Sequence, residues 1–464
     1  VTRNIGVGEA ETGMSSSSTG KRVGIVIGVI AVIGLAVLGW AAIRPGPLAF
    51  AGSKTVALSE YSAGHPTGVP ADFTDTDKLA RGKYLTEAAD CQACHTTEGG
   101  KPFAGGRPFS TQFGTMYSPN ITADTETGIG SWSDADFLKA VHEGVGKGGL
   151  RLYPAFPYAA YTYLTDDDVL AIKAYLFSLP VVKNTPPQNA LNFPFNQRWL
   201  MTFWAAMYDP NTRYQPHTDR SPQWNRGAYL AEALGHCGDC HTPRTPFQSL
   251  DNRHKFAGGA SEGWRAYNLS SDKASGIGTW SEEDLVHYLT TGHSQDRGSA
   301  FGPMAEAVHL SFAKMTASDI GAITEYIRSV PPVYSPDLPA PKAEPASADP
   351  SKGVAMDQNP KGREFFAGAC AGCHNWTGDS LVTHATLTGT RAVNDPTATN
   401  VALAVLHGAS TLPPSSDIVA MPAFGEAYSD GDIAAVSNYV TARFGVKGST
   451  ITAEDVHKLR LASE

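Results

Sequence analysis

The sequence predicts a mainly α-helical chain, with three tandem domains behind an N-terminal transmembrane helix. Three observations predict it. The pattern Cys-x-x-Cys-His occurs three times, as Cys91-Gln-Ala-Cys94-His95, Cys237-Gly-Asp-Cys240-His241 and Cys370-Ala-Gly-Cys373-His374, and these six cysteines are all the chain has. The stretches before and after each copy repeat. Val23 to Ile43 is a run of 21 residues without a charge. A length of 464 residues, at about 150 residues per domain, also gives three domains.

Taken in order, residues 1–22 form a cytoplasmic segment that ends on Lys21 and Arg22. As a helix, 23–43 would be about 31 Å long, enough to cross the hydrocarbon core. Arg44-Pro45 ends it, and Trp40 stands where an interfacial anchor belongs. Ala49-Phe50-Ala51 resembles a signal cleavage site, but a signal core is about 7–15 residues and this run is longer. The expectation is a retained anchor, with the N-terminus in the cytoplasm and the rest in the periplasm.

The first domain is expected at 70–182, the second at 218–332 and the third at 356–446. Each begins with a helix bearing a small residue and aromatics ahead of the first cysteine: Gly82 and Tyr84, Gly227 and Tyr229, Gly362 with Phe365 and Phe366. The glycine would let another helix cross closely. GIGSWSDADFLKAVHEGV (128–145) matches GIGTWSEEDLVHYLTTGH (276–293), each with a helix start rich in acids. Each domain closes on a helix that opens with Thr or Ser and has Asp three residues later: 165–180, 316–331 and 429–445. The connector 183–217 contains LNFPFNQRWLMTFWAAMYDP (191–210). It reads as inter-domain core, with a membrane-surface or partner-docking stretch as the alternative. Residues 333–355 form a Pro/Ala-rich, semi-rigid linker, which would leave the third domain the most mobile. The tail 447–464 has room for one short helix.

Two thiols three residues apart on a helical turn face the same way, with the imidazole beside them. In this pattern both thiols form thioethers with one haem and the histidine binds its iron. A disulfide does not require His after the second Cys, three times over. A zinc site would draw Cys or His pairs to one metal, not three copies more than a hundred residues apart. The expectation is three covalently bound haem c groups, in three class I-like cytochrome c domains. They attach at Cys91 and Cys94, Cys237 and Cys240, and Cys370 and Cys373, with His95, His241 and His374 as proximal ligands.

A low-spin electron-transfer haem also takes a thioether from a distal loop. In the third domain Met421 is the only methionine after His374. In the second, Met304 follows a proline on a loop, whereas Met315 matches Leu164 of the first domain and reads as core. The first domain breaks the pattern, because Phe156 occupies the ligand position. Met116 is its only methionine, and the expectation is that Met116 reaches the iron. His142, or a five-coordinate or water-bound iron, are the alternatives. His287, His293 and His407 carry no role.

The phrases RGKYL…CQACHT, YSPNITADTETGIGSWSDADF, LYPAFPYAAYTYLTDDDVLAIKAYLFSLP and NRGAYL…HCGDCHTPR resemble one family over roughly residues 75–445. It is the three-haem cytochrome c subunit of membrane-bound alcohol, aldehyde and gluconate dehydrogenases of acetic acid bacteria and relatives. The resemblance implies a large catalytic partner of molybdenum, pyrroloquinoline quinone or flavin type, and electron delivery to ubiquinone in the membrane. Phe156 departs from the family, many members of which have Met there. The uncleaved N-terminal helix resembles the type paired with molybdenum and iron–sulfur aldehyde dehydrogenases.

A net charge of −9 argues against a nucleic-acid partner. No phosphate-binding loop, Ser/His/Asp set or spaced carboxylate pair is visible, so the chain is expected to have no catalysis of its own. Two other readings stay open: a free-standing membrane cytochrome feeding a terminal oxidase, and a peroxidase-like enzyme using an open first haem.

Overall fold

The computed structural model of the protein describes residues 1–2, 6, 22–29, 32, 34, 39, 44–295, 297–354, 358–382, 384–409 and 420–463. Residues 45–464 form one unit and residues 1–44 another. In the latter, residues 22–29 are helical. The expected membrane span 23–43 and cytoplasmic segment 1–22 lie largely outside the described residues. Among those described, no helix is long and apolar enough to cross a membrane.

In the larger unit the first segment runs through α1 (Lys78–Ala88), α2 (Cys91–His95), strands β1 (Pro108–Thr111) and β2 (Gly114–Tyr117), and α3 (Asp134–Glu143). It continues through β3 (Val145–Gly146), β4 (Leu150–Arg151), α4 (Tyr158–Tyr161) and α5 (Asp166–Ser178). The connector supplies β5 (Ala190–Leu191) and α6 (Met201–Tyr208). The order then recurs as α7 (Pro222–Tyr229), α8 (Gly238–His241), β6 (Gly259–Ser261), β7 (Trp264–Ala266) and α9 (Glu282–Thr291). After these come β8 (His293–Ser294), β9 (Gly298–Ser299), α10 (Gly302–Leu310) and α11 (Ala317–Arg328). The third segment has α12 (Pro360–Phe365), α13 (Ala371–His374), α14 (Thr399–His407) and α15 (Asp430–Phe444), and α16 (Ala453–Ser463) closes the chain. Among the described residues the strands pair antiparallel, as short hairpins, with β5 added at one edge of β1–β2.

One crossing is built three times. A Cβ added at Gly82 would lie 2.1 Å from the Ala171 carbonyl oxygen on α5. At Gly227 it would lie 1.9 Å from Ala322 O on α11, and at Gly362 2.2 Å from Ala435 O on α15. Only glycine lets these backbones meet, as the repeated Gly ahead of each cysteine pair predicts. The closing helices start where their caps predict: Thr165, Thr316 and Ser429 accept from the backbone N–H of Asp168, Asp319 and Asp432.

The capping aspartates then diverge. Asp432 closes a full capping box with Ser429. Asp168 and Asp319 turn instead to the neighbouring segment. Tyr229 on α7 donates its hydroxyl to Asp168 at 2.5 Å and accepts from Thr165 N. Tyr84 on α1 donates to Asp319 at 2.6 Å and accepts from Thr316 N. The first two segments therefore join through a reciprocal interface, each helix tyrosine bonded at the start of the other's closing helix. Arg226 adds a fork to Asp319, at 2.8 and 2.7 Å, with both side chains buried.

One apolar core runs through the first two segments, containing Leu85, Leu164, Tyr229, Leu234 and Tyr326. A second belongs to the third segment and takes in Trp264 of β7. The linker is not a loose tether: Leu338 is buried, Lys342 N donates to Asn394, and Arg391 donates to Pro339 O. Arg265 pairs with Asp395 at 2.8 Å, and the rings of His293 and His384 stack at 4.3 Å. The third segment is thus packed on the second, against the expected mobility. The connector also departs from expectation. Phe193, Phe195, Trp199 and Phe203 are exposed, so 191–210 is not an inter-domain core; its chain runs over the outside of the first segment.

Candidate haem-binding sites

Each Cys-x-x-Cys-His stretch is a short helical turn just beyond the crossing helix of its segment. All six cysteines are free, and among the described residues no three His, Cys, Asp or Glu converge as a metal set. The disulfide and zinc alternatives therefore have no geometry to support them.

The three imidazoles are held alike. His95 Nδ1 lies 2.9 Å from Pro119 O, His241 Nδ1 2.7 Å from Tyr267 O, and His374 Nδ1 2.5 Å from Ala385 O. A carbonyl only accepts, so Nδ1 carries the proton and Nε2 keeps a lone pair. Burial lowers the pKa of all three, which holds them in the neutral, metal-binding form. Two thiols and one oriented imidazole on a single turn fit covalent haem c. Bound there, haem supplies one-electron Fe(II)/Fe(III) chemistry. The chain's part is to hold it at both cysteines and to fix the proximal ring.

The loops that offer a sixth ligand also repeat. Gly144 and Gly292 end α3 and α9 in the left-handed conformation, at φ 62° and 77°. Their carbonyls accept from Leu152 N at 2.8 Å and Ala300 N at 2.7 Å. Four residues beyond these amides stand Phe156 and Met304, which are therefore structural equivalents. Met304 is half-buried against the core in the first turn of α10. Phe156 lies edge-on to Tyr161 at 5.4 Å. Met421 is half-buried against the third segment's core, its carbonyl accepting from Ala409 N at 2.9 Å; residues 410–419 of that loop lie outside the described residues.

Met116 is brought elsewhere. It pairs with Phe109 in the β1–β2 hairpin, three residues before Pro119, whose carbonyl holds His95 Nδ1. The hairpin thus leads into the carbonyl that holds His95 Nδ1, and Met116 is not on the loop equivalent to that of Met304. His142 is 1 % exposed and lies 3.8 Å from Asp166 at the start of α5. Burial, with Arg213 nearby, lowers its pKa to about 4. It packs as a neutral ring against a helix start.

Two further sets of groups support the sites, the first in a loop whose Asn120-Ile-Thr reads in the sequence as one held close to the haem edge. The carbonyls of Pro119 and Tyr267 are placed by Asn120 and Asn268, which donate to Val182 O and Val333 O, each at 2.7 Å. The signal was the recurrence of Asn-Ile-Thr as Asn-Leu-Ser, each starting eight residues before Gly-Ile-Gly. Arg107 gave no signal, since its counterpart in β6 is Ala260. It donates to Ala93 O inside the first motif at 2.6 Å, to Glu306 on α10 at 2.8 Å and to Glu262 at 2.9 Å. It thereby ties the first haem-binding turn to the helix that carries Met304. From the other side, Tyr161 of α4 packs edge-on to His236, the residue before Cys237, at 5.5 Å.

The cytochrome c family pattern matches residues 79–180 and 360–443. The gluconate 2-dehydrogenase cytochrome c subunit of Pantoea cypripedii is 37% identical over 409 residues, covering 84% of this chain and 91% of that one. The cytochrome c subunit of alcohol dehydrogenase (quinone) from Gluconobacter oxydans is 35% identical over 413 residues, 84% of each chain. The chain belongs to this family of cytochrome c subunits. One of the subunits of nicotinate dehydrogenase from Pseudomonas putida is 40% identical over 369 residues, which make up 79% of this chain and 30% of that longer one. As a cytochrome c subunit the protein carries covalent haem c and transfers electrons; it is not a catalytic subunit. The middle motif lies outside the matched pattern, yet its thiols and imidazole are arranged as in the other two.

Proposed function

We propose that this protein is a membrane-anchored, periplasmic three-haem cytochrome c. It passes electrons from a partner dehydrogenase that oxidises an aldehyde or alcohol to ubiquinone. The observation that carries this reading is the threefold holder: a cysteine pair and a histidine whose Nδ1 is bonded to a backbone carbonyl. Its presence at His241 supports three haems where the family pattern covers two motifs. The partner is a large periplasmic subunit of molybdenum, pyrroloquinoline quinone or flavin type, as the relatives' names support for the dehydrogenase role. Retention of the apolar run is supported by Phe50, whose ring lies 6.0 Å from Tyr326 and 6.4 Å from Trp224. Cleavage after Ala51 would remove that ring from the core.

The test is to purify the protein from membranes and count haem by pyridine haemochrome. Three per chain is expected, falling to two in Cys91→Ser, Cys237→Ser or Cys370→Ser; two in the native protein would overturn the reading. A mature N-terminus near Gly52 would overturn the anchor. Addition of substrate to the complex with its co-purifying large subunit should reduce the haems, and a ubiquinone analogue should reoxidise them.

A further inference from the structure

The connector helix α6 is seated by one face and open on the other. On its inner side Ala205 is buried, Trp204 lies edge-on to Tyr158 at 5.8 Å, and Trp204 Nε1 donates to Phe247 O at 2.9 Å. Its outer side shows Thr202, Phe203 and Ala206, with Trp199 one turn earlier. Phe193, Trp199 and Phe203 are 80, 59 and 60 % exposed, and no charge occurs from Trp199 to Tyr208. The stretch leading in is held firmly, by a Phe113–Phe195 ring contact at 4.3 Å and by Tyr153 Oη donating to Phe195 O at 3.0 Å. A well-seated helix with an uncharged aromatic outer face is not built to face water.

Two observations say what covers it. The first is where the chain comes from. Pro45, the first residue of this unit, accepts from Asn252 at 3.2 Å, in the loop whose Phe247 carbonyl holds Trp204. The uncharged run Val23–Ile43 ends two residues before Pro45. The second is charge. Arg151 and Arg198 flank the aromatic shelf and donate to the carbonyls of Glu143 and Arg151, with no carboxylate paired to either among the described residues. Tryptophan and phenylalanine beside arginines that no carboxylate neutralises match the boundary between acyl chains and anionic headgroups.

We infer that the outer face of α6, with Phe193, Phe195 and Trp199, lies in the headgroup–acyl boundary of the bilayer. This rests on the membrane anchorage proposed above. It gives the haem-bearing unit a second attachment and a set orientation to the lipid.

The full-length haem protein is reconstituted into vesicles of phosphatidylethanolamine and phosphatidylglycerol. A nitroxide is placed at Phe203→Cys, at Trp199→Cys as a second position, and at Glu454→Cys as an exposed control. At 203 and 199 the expected result is loss of relaxation by a water-soluble nickel chelate while oxygen still relaxes the label; at 454 the chelate acts fully. If the protein co-floats with vesicles but the chelate reaches 203 and 199 as it does 454, this inference is overturned and the anchorage stands. Protection that appears only on adding the catalytic subunit overturns it in favour of a protein interface. Failure of the unlabelled protein to co-float would remove the anchorage itself, and this inference with it.

Discussion

At Phe156 a ring that can only pack stands where Met304 offers a sulfur, and the two hold the same place on matching loops. With Met116 in the hairpin that leads to Pro119 and His142 against α5, no methionine stands at the first segment's equivalent of Met304. The expected outcome is that the reduced native protein binds carbon monoxide at one haem of the three. Phe156→Met should abolish that binding and raise that haem's potential, because a thioether favours Fe(II). Spectra of Phe156→Met unchanged from the native protein would refute the equivalence with Met304. Met304→Ala and Met421→Ala should each lower the potential of one haem, read by spectroelectrochemical titration. His142 makes a separate prediction. Its folded pKa of about 4 lies below the ordinary value, so the unfolded chain binds more protons between about pH 4 and 6.5. The stability it contributes is complete above that window and lost as pH falls through it. His142→Gln should flatten the pH dependence of unfolding there and leave the haem spectra alone; a changed spectrum would make His142 a ligand.

Among the elements, the crossing helices depend on atoms that glycine lacks. The carbonyl facing Gly227 is backbone and cannot swing aside, so Gly227→Ala should cost at least about 1–3 kcal/mol in denaturant unfolding. Gly321→Ala, where a Cβ meets only the flexible end of Gln223 at 3.5 Å, should be nearly neutral. Equal effects would mean that close approach is not what selects glycine at the crossing. These helices were legible in the sequence, because Gly followed by an aromatic recurs ahead of each cysteine pair and Thr or Ser precedes Asp by three at each closing helix. The aromatic connector misleads when read the same way. A cluster of aromatics identifies apolar surface, and nothing local says whether another part of the chain covers it.

Across the whole molecule, the first two segments behave as one body through paired Tyr–Asp contacts and the Arg226–Asp319 fork. Removing one partner of a buried ion pair strands the other charge, so Asp319→Ala should lose about 3–5 kcal/mol. Asp432→Ala, at the same cap position but half-buried, closing its own helix start and pairing with Lys361 of α12 at 2.7 Å within its own segment, should lose about 1–2 kcal/mol. Similar losses in both would argue that the interface adds nothing to the cap. Arg107 is the other long-range link. Arg107→Gln should release α2 from α10 and shift the potentials of the first and second haems together, leaving the third unchanged.

The sequence by itself determined what is covalent or local. It set where the cysteine pairs stand that would hold haem, which histidine follows each pair, where helices start, where glycine permits a crossing, and that Phe156 has no sulfur to give. These depend on residue type and on spacings of a few positions, which chain geometry fixes within a turn or two. Tertiary structure alone decided which carbonyl orients each imidazole and that Met116 lies in the hairpin leading to Pro119. It also decided that Asp168 and Asp319 bond to a neighbouring segment while Asp432 stays within its own, and that the aromatic connector faces outward. Each of these is a meeting of residues far apart in the chain, and the preference of either partner alone carries no information about the other.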